Sequence, residues 1–167
     1  RGGMYVTFSA PTNACEDWTT VKEGGPTAGV RSHQPCPELV DQGGIWRFDE
    51  NKIGQRQSDG TRFATGLRSI VGITWNDEDS SLYALQHGRD YLGEHDQKHF
   101  SAWQNAMMPA EEFSRVKEGE DYGWPYTYFD PIKNKRMMAP EYGGDGKKEA
   151  KGYADPIMGL PAHWAPN

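Results

Sequence analysis

The chain has 167 residues, 20 of them glycine and 11 proline, with a formal charge of -6 and a pI near 5.3. That length buries a core of one domain, and the mild acidity excludes a nucleic-acid surface, which needs clustered Lys and Arg. No run of 18 apolar residues is present, which excludes a membrane-spanning helix, and no signal-peptide pattern opens the chain.

In chain order, short β-type runs separated by turn residues dominate. "MYVTFS" (4 to 9) predicts a strand, "GGIWRFD" (43 to 49) a second, and "TRFATGL" (61 to 67) a third. In the second, Ile45 and Arg47 share one face, Trp46 and Phe48 the other. "IVGITW" (70 to 75), the turn "NDEDSS" and "LYALQH" (82 to 87) predict a β-hairpin. "EEFSRV" (111 to 116) and "YGWPYTYF" (122 to 129) follow as strands, and one helix is expected around Lys98 to Met107, ended by Pro109. A faint repeat links "MYVTFSAP" with "LYALQHGR", each an aromatic-bearing strand that runs into a polar loop, then a further strand ("IWRFD", "EFSRV"). The fold class is therefore all-β, with β-propeller blades favoured over a sandwich. Six Trp and eight Tyr suit packing between blades.

Cys15 and Cys36 flank a loop rich in Gly, Pro, Thr and Ser. They form either a disulfide or two thiols, and with no nearby His pair they make a poor zinc site. Asp77-Glu78-Asp79 lacks the Gly and Glu of a calcium-binding EF-hand loop and reads as a solvated hairpin turn. "GGDGKK" (143 to 148) lacks the Lys-Ser/Thr ending of a phosphate loop, and Lys147-Lys148 reads as solvated. His95 and His99 are spaced i, i+4 without a third zinc ligand and read as surface residues. Glu111 and Glu112 point to opposite faces of a strand, the wrong spacing for an acid/base pair. No nucleophile motif is present.

Three segments remain: "GLRSIVG" with Arg68, "QHGRD" with His87 and Asp90, and "PAHWAP" with His163 and Trp164. Each lies where a loop leaves a strand, and a propeller gathers such loops on one face. Singly, each has a structural reading: Arg68 in a salt bridge, His163 packed on Trp164. Together, the planar Arg68 fork, the imidazoles and the bare backbone at Gly88 describe a pocket for a polycarboxylate.

"ATGLRS" with "VGITW", "LQHGRDYLG", "EEFSRVKEGEDYGWPY", "APEYGG" and "GLPAHWAPN" resemble, in that order, the glucose/sorbosone dehydrogenase family. The resemblance spans nearly the whole chain. It implies a six-bladed β-propeller that uses pyrroloquinoline quinone (PQQ) and calcium to oxidise sugars, working in the periplasm or outside the cell. It implies that Arg68, Ser69, His87, Asp90 and His163 meet the quinone, with Ser69 standing where relatives carry asparagine. It implies that the backbone carbonyls of Gly88 and Arg89 bind calcium, with Asp96 a further candidate acid, and that "YGWP" closes a blade. The family's general-base histidine would precede Arg1, so no catalytic residue is assigned within residues 1–167. The resemblance thus implies a single partial propeller of about three four-stranded antiparallel blades with one short helix in a loop, a fragment of a longer chain whose open blades either self-associate or meet the missing blades of the same protein. Its partners would be a sugar and an electron acceptor. The rival expectation is a non-catalytic propeller module that binds carbohydrate or protein.

Overall fold

The computed structural model describes residues 3–17, 19 and 31–166. Its strands are β1 (Met4–Phe8), β2 (Gly44–Phe48), β3 (Thr61–Thr65), β4 (Ser69–Asn76), β5 (Ser81–His87), β6 (Glu111–Val116), β7 (Thr127–Asp130), β8 (Lys135–Met138) and β9 (Met158–Leu160). Two short helices, α1 (Leu92–His95) and α2 (Ala102–Met107), lie between β5 and β6. The expected helix therefore starts later than Lys98, at Ala102, where Ser101 and Gln104 form a capping box. The single turn α1 precedes it.

The strands form three antiparallel sheets, ordered β1-β2-β3, β4-β5-β6-β9 and β7-β8. This is a partial β-propeller, with one blade of four strands. The β4–β5 hairpin follows from alternation: Leu82, Ala84 and Gln86 are buried, while the intervening residues are partly exposed. The acidic residues Asp77 to Asp79 form its exposed turn. Leu82 and Ala84 meet Ile45, Phe63, Leu67, Val116 and Tyr122 in the main core, between the first two sheets. At about 1.5–3 kcal/mol for each large apolar side chain buried, this core is the chief force joining the two blades.

The stretch 122 to 129 is not one strand. Its first part crosses back to the first sheet, where the Thr65 N–H donates to the Glu120 carbonyl (3.1 Å) and the Tyr122 N–H to that of Thr65 (2.9 Å). Gly66 permits this crossing, because its φ is +74° and a Cβ there would lie 2.5 Å from the Gly123 nitrogen. Tyr122 is buried, and its O–H donates to the Glu120 carboxylate (2.7 Å), with the Arg115 carbonyl 3.0 Å away. Burial raises its pKa well above the usual phenol range.

Cys15 and Cys36 are joined by a disulfide. It packs with Ala10 and Trp124 in a small core, and the Trp124 Nε1–H donates to the Asn13 carbonyl (2.8 Å). "YGWP" thus pins the disulfide loop to the blades. Most of that loop lies outside the described residues.

Candidate functional site

Arg68 follows β3 and Gly66-Leu67, at the point where the chain turns into β4. Its N–H donates to Gln86 Oε1 (2.9 Å) and its carbonyl accepts from the Ala10 N–H (2.7 Å). The guanidinium is fixed by the Nε–H, which donates to the Thr12 carbonyl (3.0 Å), and by Nη1, which donates to the Gly88 carbonyl (2.8 Å). Nη2 faces the Asp90 carboxylate at 3.9 Å. Burial lowers the Arg68 pKa and Asp90 opposes that shift, yet an arginine remains a cation.

β5 carries His87 to the same place, since Ser69 and His87 are cross-strand partners. The His87 Nε2 is buried without a hydrogen-bond partner. Gly88 sits against the strand-entry backbone, and a Cβ there would lie 2.7 Å from the Ala110 carbonyl oxygen. Asp90 is held through its N–H by Asn13 Oδ1 (2.9 Å), and its Oδ1 lies 3.8 Å from His163 Nδ1. His163 Nε2 faces the Asn105 carbonyl at 3.4 Å. Arg68, Ser69, His87, Gly88, Asp90 and His163 therefore come together where loops leave the strands.

Two residues named from the sequence behave differently. The Arg89 side chain turns inward, 4% exposed, and its Nη1 donates to Glu141 Oε2 at 2.7 Å. Asp96 stands apart, bonded to His99 Nδ1 (2.7 Å) and accepting through its carbonyl from the Phe100 N–H (3.1 Å). His99 is thus engaged locally, and the His95 side chain lies outside the described residues. Among the described residues no group of three or more His, Cys, Asp or Glu side chains could hold a metal.

The structure adds Glu111, which the sequence marked only as an unsuitable acid/base partner of Glu112. The buried Glu111 carboxylate accepts from the Gly88 N–H (Oε2, 3.3 Å) and from the His163 N–H (Oε1, 3.0 Å). It therefore ties the β5 loop to the C-terminal segment. The opposite face of the strand holds Glu112, paired with Arg136 at 2.6 Å. Thr12, Asn13 and Asn105 were likewise missed. They act through backbone or side-chain atoms on residues far away in sequence, and no spacing rule signals that.

The cluster suits an anion, because Arg68 keeps N–H donors beyond those used on Thr12 and Gly88. Calcium is served less well. It takes six to eight oxygens, and here the Gly88 carbonyl already accepts from a guanidinium, with Asp90 the nearby carboxylate.

No protein-family model matches the sequence, and no curated protein matches it. Among solved structures, the chain is similar to the calcium and iodide structures of Trichoderma reesei Carbohydrate-Active Enzymes Family AA12. The TM-scores are 0.66 and 0.68 and the identities 17% and 15%, over 97% of this chain and 41% and 40% of those chains. It is also similar to the soluble aldose sugar dehydrogenase of Escherichia coli in the apo-form, with a TM-score of 0.50 and 16% identity over 97% of this chain and 38% of that one. The fold is thus a partial β-propeller of the kind seen in a soluble aldose sugar dehydrogenase. The chain spans about two fifths of the length of these structures. Among the described residues no helix is long and apolar enough to cross a membrane.

Proposed function

We propose that this chain is the cofactor-holding part of a sugar dehydrogenase that uses PQQ and calcium. The observation that carries the reading is Arg68, a part-buried guanidinium fixed by two backbone carbonyls beside His87, Asp90 and His163. Support comes also from the family resemblance of "GLRS" and "QHGRD", from the aldose sugar dehydrogenase among the similar folds, and from the calcium structure of the similar family AA12 protein.

When bound, the quinone supplies a two-electron acceptor for hydride from a carbon that bears a sugar hydroxyl. Arg68 would meet its acid groups and stabilise negative charge there. Ser69 and His87 would border it from the paired strand ends, and Asp90 would hold Arg68 and His163 in place. Calcium would use the Gly88 and Arg89 carbonyls, with Arg68 moving off Gly88 towards the quinone. Asp96, bonded to His99, is not used. The reading takes no described residue as the general base, since His163 faces a carboxylate and a carbonyl through its two nitrogens. The chain alone therefore binds the cofactor with little or no sugar turnover. The electron acceptor is a partner of the whole enzyme. The disulfide supports an oxidising compartment, the periplasm or the outside of the cell.

The second reading, a non-catalytic module that binds carbohydrate or protein, is favoured by the Arg68 contact with Gly88, which occupies a carbonyl that calcium would need. A titration of the chain with PQQ in calcium buffer, followed by quinone absorbance, separates the two. The quinone reading expects saturable binding that weakens about tenfold to a hundredfold in Arg68→Ala, the loss of one or two charge-assisted hydrogen bonds. Equal binding by wild type and Arg68→Ala, or none by either, would favour the module.

A further inference from the structure

At the Arg68 cluster, a small pocket of about 20 Å³ is lined by Arg68 and Gly88 and, deeper in the fold, by His87, Arg89, Tyr128 and Arg136. Three of these residues carry a buried polar atom without a hydrogen-bond partner: His87 Nε2, Arg89 Nη2 and Tyr128 Oη. Arg89 and Tyr128 are 4% and 2% exposed, so bulk water does not reach them. Buried polar groups are costly to leave unpaired, and three around one space call for a guest that serves all of them.

Size and charge restrict that guest. A buried water needs roughly 10–15 Å³ and two to four polar partners, and this space offers both. The two fully buried guanidiniums on its wall each face a carboxylate: Arg89 faces Glu141 (2.7 Å) and Arg136 faces Glu112 (2.6 Å). With each cation balanced, a neutral guest fits better than an ion. The hydrogen-bond inventory then sets its orientation. Arg89 only donates, and burial keeps the Tyr128 phenol protonated. A water that accepts from both has its own protons left for His87 Nε2.

We propose that one buried water joins His87 Nε2, Arg89 Nη2 and Tyr128 Oη, which makes Arg89 and Tyr128 positioning residues for the His87 ring. The neutral ring is then held as the Nδ1–H tautomer. Arg89 thereby takes a role in its side chain that the sequence did not indicate. The water site stands whether or not a quinone binds, so the two readings fail separately.

The test is NMR on the full chain with 15N-labelled histidine. Long-range proton–nitrogen correlations give the tautomer of the neutral ring, and water-selective NOE spectra detect a long-lived water beside the Tyr128 ring. The expected result is His87 as Nδ1–H, with a water NOE to Tyr128. Tyr128→Phe should abolish that NOE and shift His87 towards Nε2–H several-fold. A wild-type ring in the Nε2–H form, no water NOE, or a Tyr128→Phe spectrum with His87 unchanged would overturn the proposal. If Tyr128→Phe does not fold, the wild-type tautomer and NOE decide alone.

Discussion

The Glu111 carboxylate accepts two amide protons, from Gly88 and from His163, with the acid itself buried. Replacing it with alanine leaves both amides without that acceptor. Glu111→Ala should cost about 2–3 kcal/mol, the scale of hydrogen bonds to a charged group, read from chemical denaturation midpoints. Faster hydrogen exchange at the Gly88 and His163 amides should accompany the loss, and unchanged exchange there would show that Glu111 does not join the two segments. Glu38 allows a pH test. Its Oε1 accepts from Thr12 Oγ1 at 2.6 Å, but burial is the larger influence and raises its pKa. A carboxyl with a raised folded pKa favours the native state below its unfolded pKa, and that contribution is lost as pH rises through the folded value. Glutamine carries no such term. Glu38→Gln should therefore gain in Tm relative to wild type as pH rises above about 4. A Tm difference that stays constant with pH would contradict this.

At the scale of elements, the disulfide and the hairpins decide what holds. Cys15 and Cys36 are 21 residues apart in sequence. A closed loop of that size stabilises by about 3 kcal/mol, so reductant should lower the denaturation free energy by about that amount. No change would mean that the Trp124 packing alone fixes the loop. β4 and β5 were legible because apolar, β-branched and aromatic runs flank a polar turn, and β5 alternates in burial. β8 and β9 were not. "KRMM" does not alternate, and "MGL" is only three residues long and becomes a strand by pairing with Glu111 to Phe113. "YGWPYTYF" misled because its apolar residues serve two different sheets. The gathering of Arg68, His87, Gly88, Asp90 and His163 was legible from loop positions. The inward turn of Arg89 was not, because its partner Glu141 lies in a distant 3₁₀ turn.

At the scale of the whole molecule, one face of the four-stranded sheet builds the core and the other stays open. Tyr83 stacks on Phe113 at 5.7 Å on that outer face, and Met158, the cross-strand partner of Phe113, is 52% exposed. In a propeller such a face stacks on a neighbouring blade. The chain spans only about two fifths of the similar structures, so we propose that this face meets further blades of the same protein, or a second copy when the chain is alone. Sedimentation of the chain should show reversible association that Phe113→Asp weakens at least tenfold, a loss of roughly 1.4 kcal/mol or more. A monomer at all concentrations would contradict that proposal.

The most direct test of the cofactor reading is native mass spectrometry of the pure chain, with and without PQQ and calcium. The predicted spectrum gains the mass of one quinone per chain, with calcium, and loses that gain in Arg68→Ala. A wild-type spectrum with no added quinone mass would contradict the assignment of Arg68, His87 and Gly88 to a quinone site and would favour the binding module.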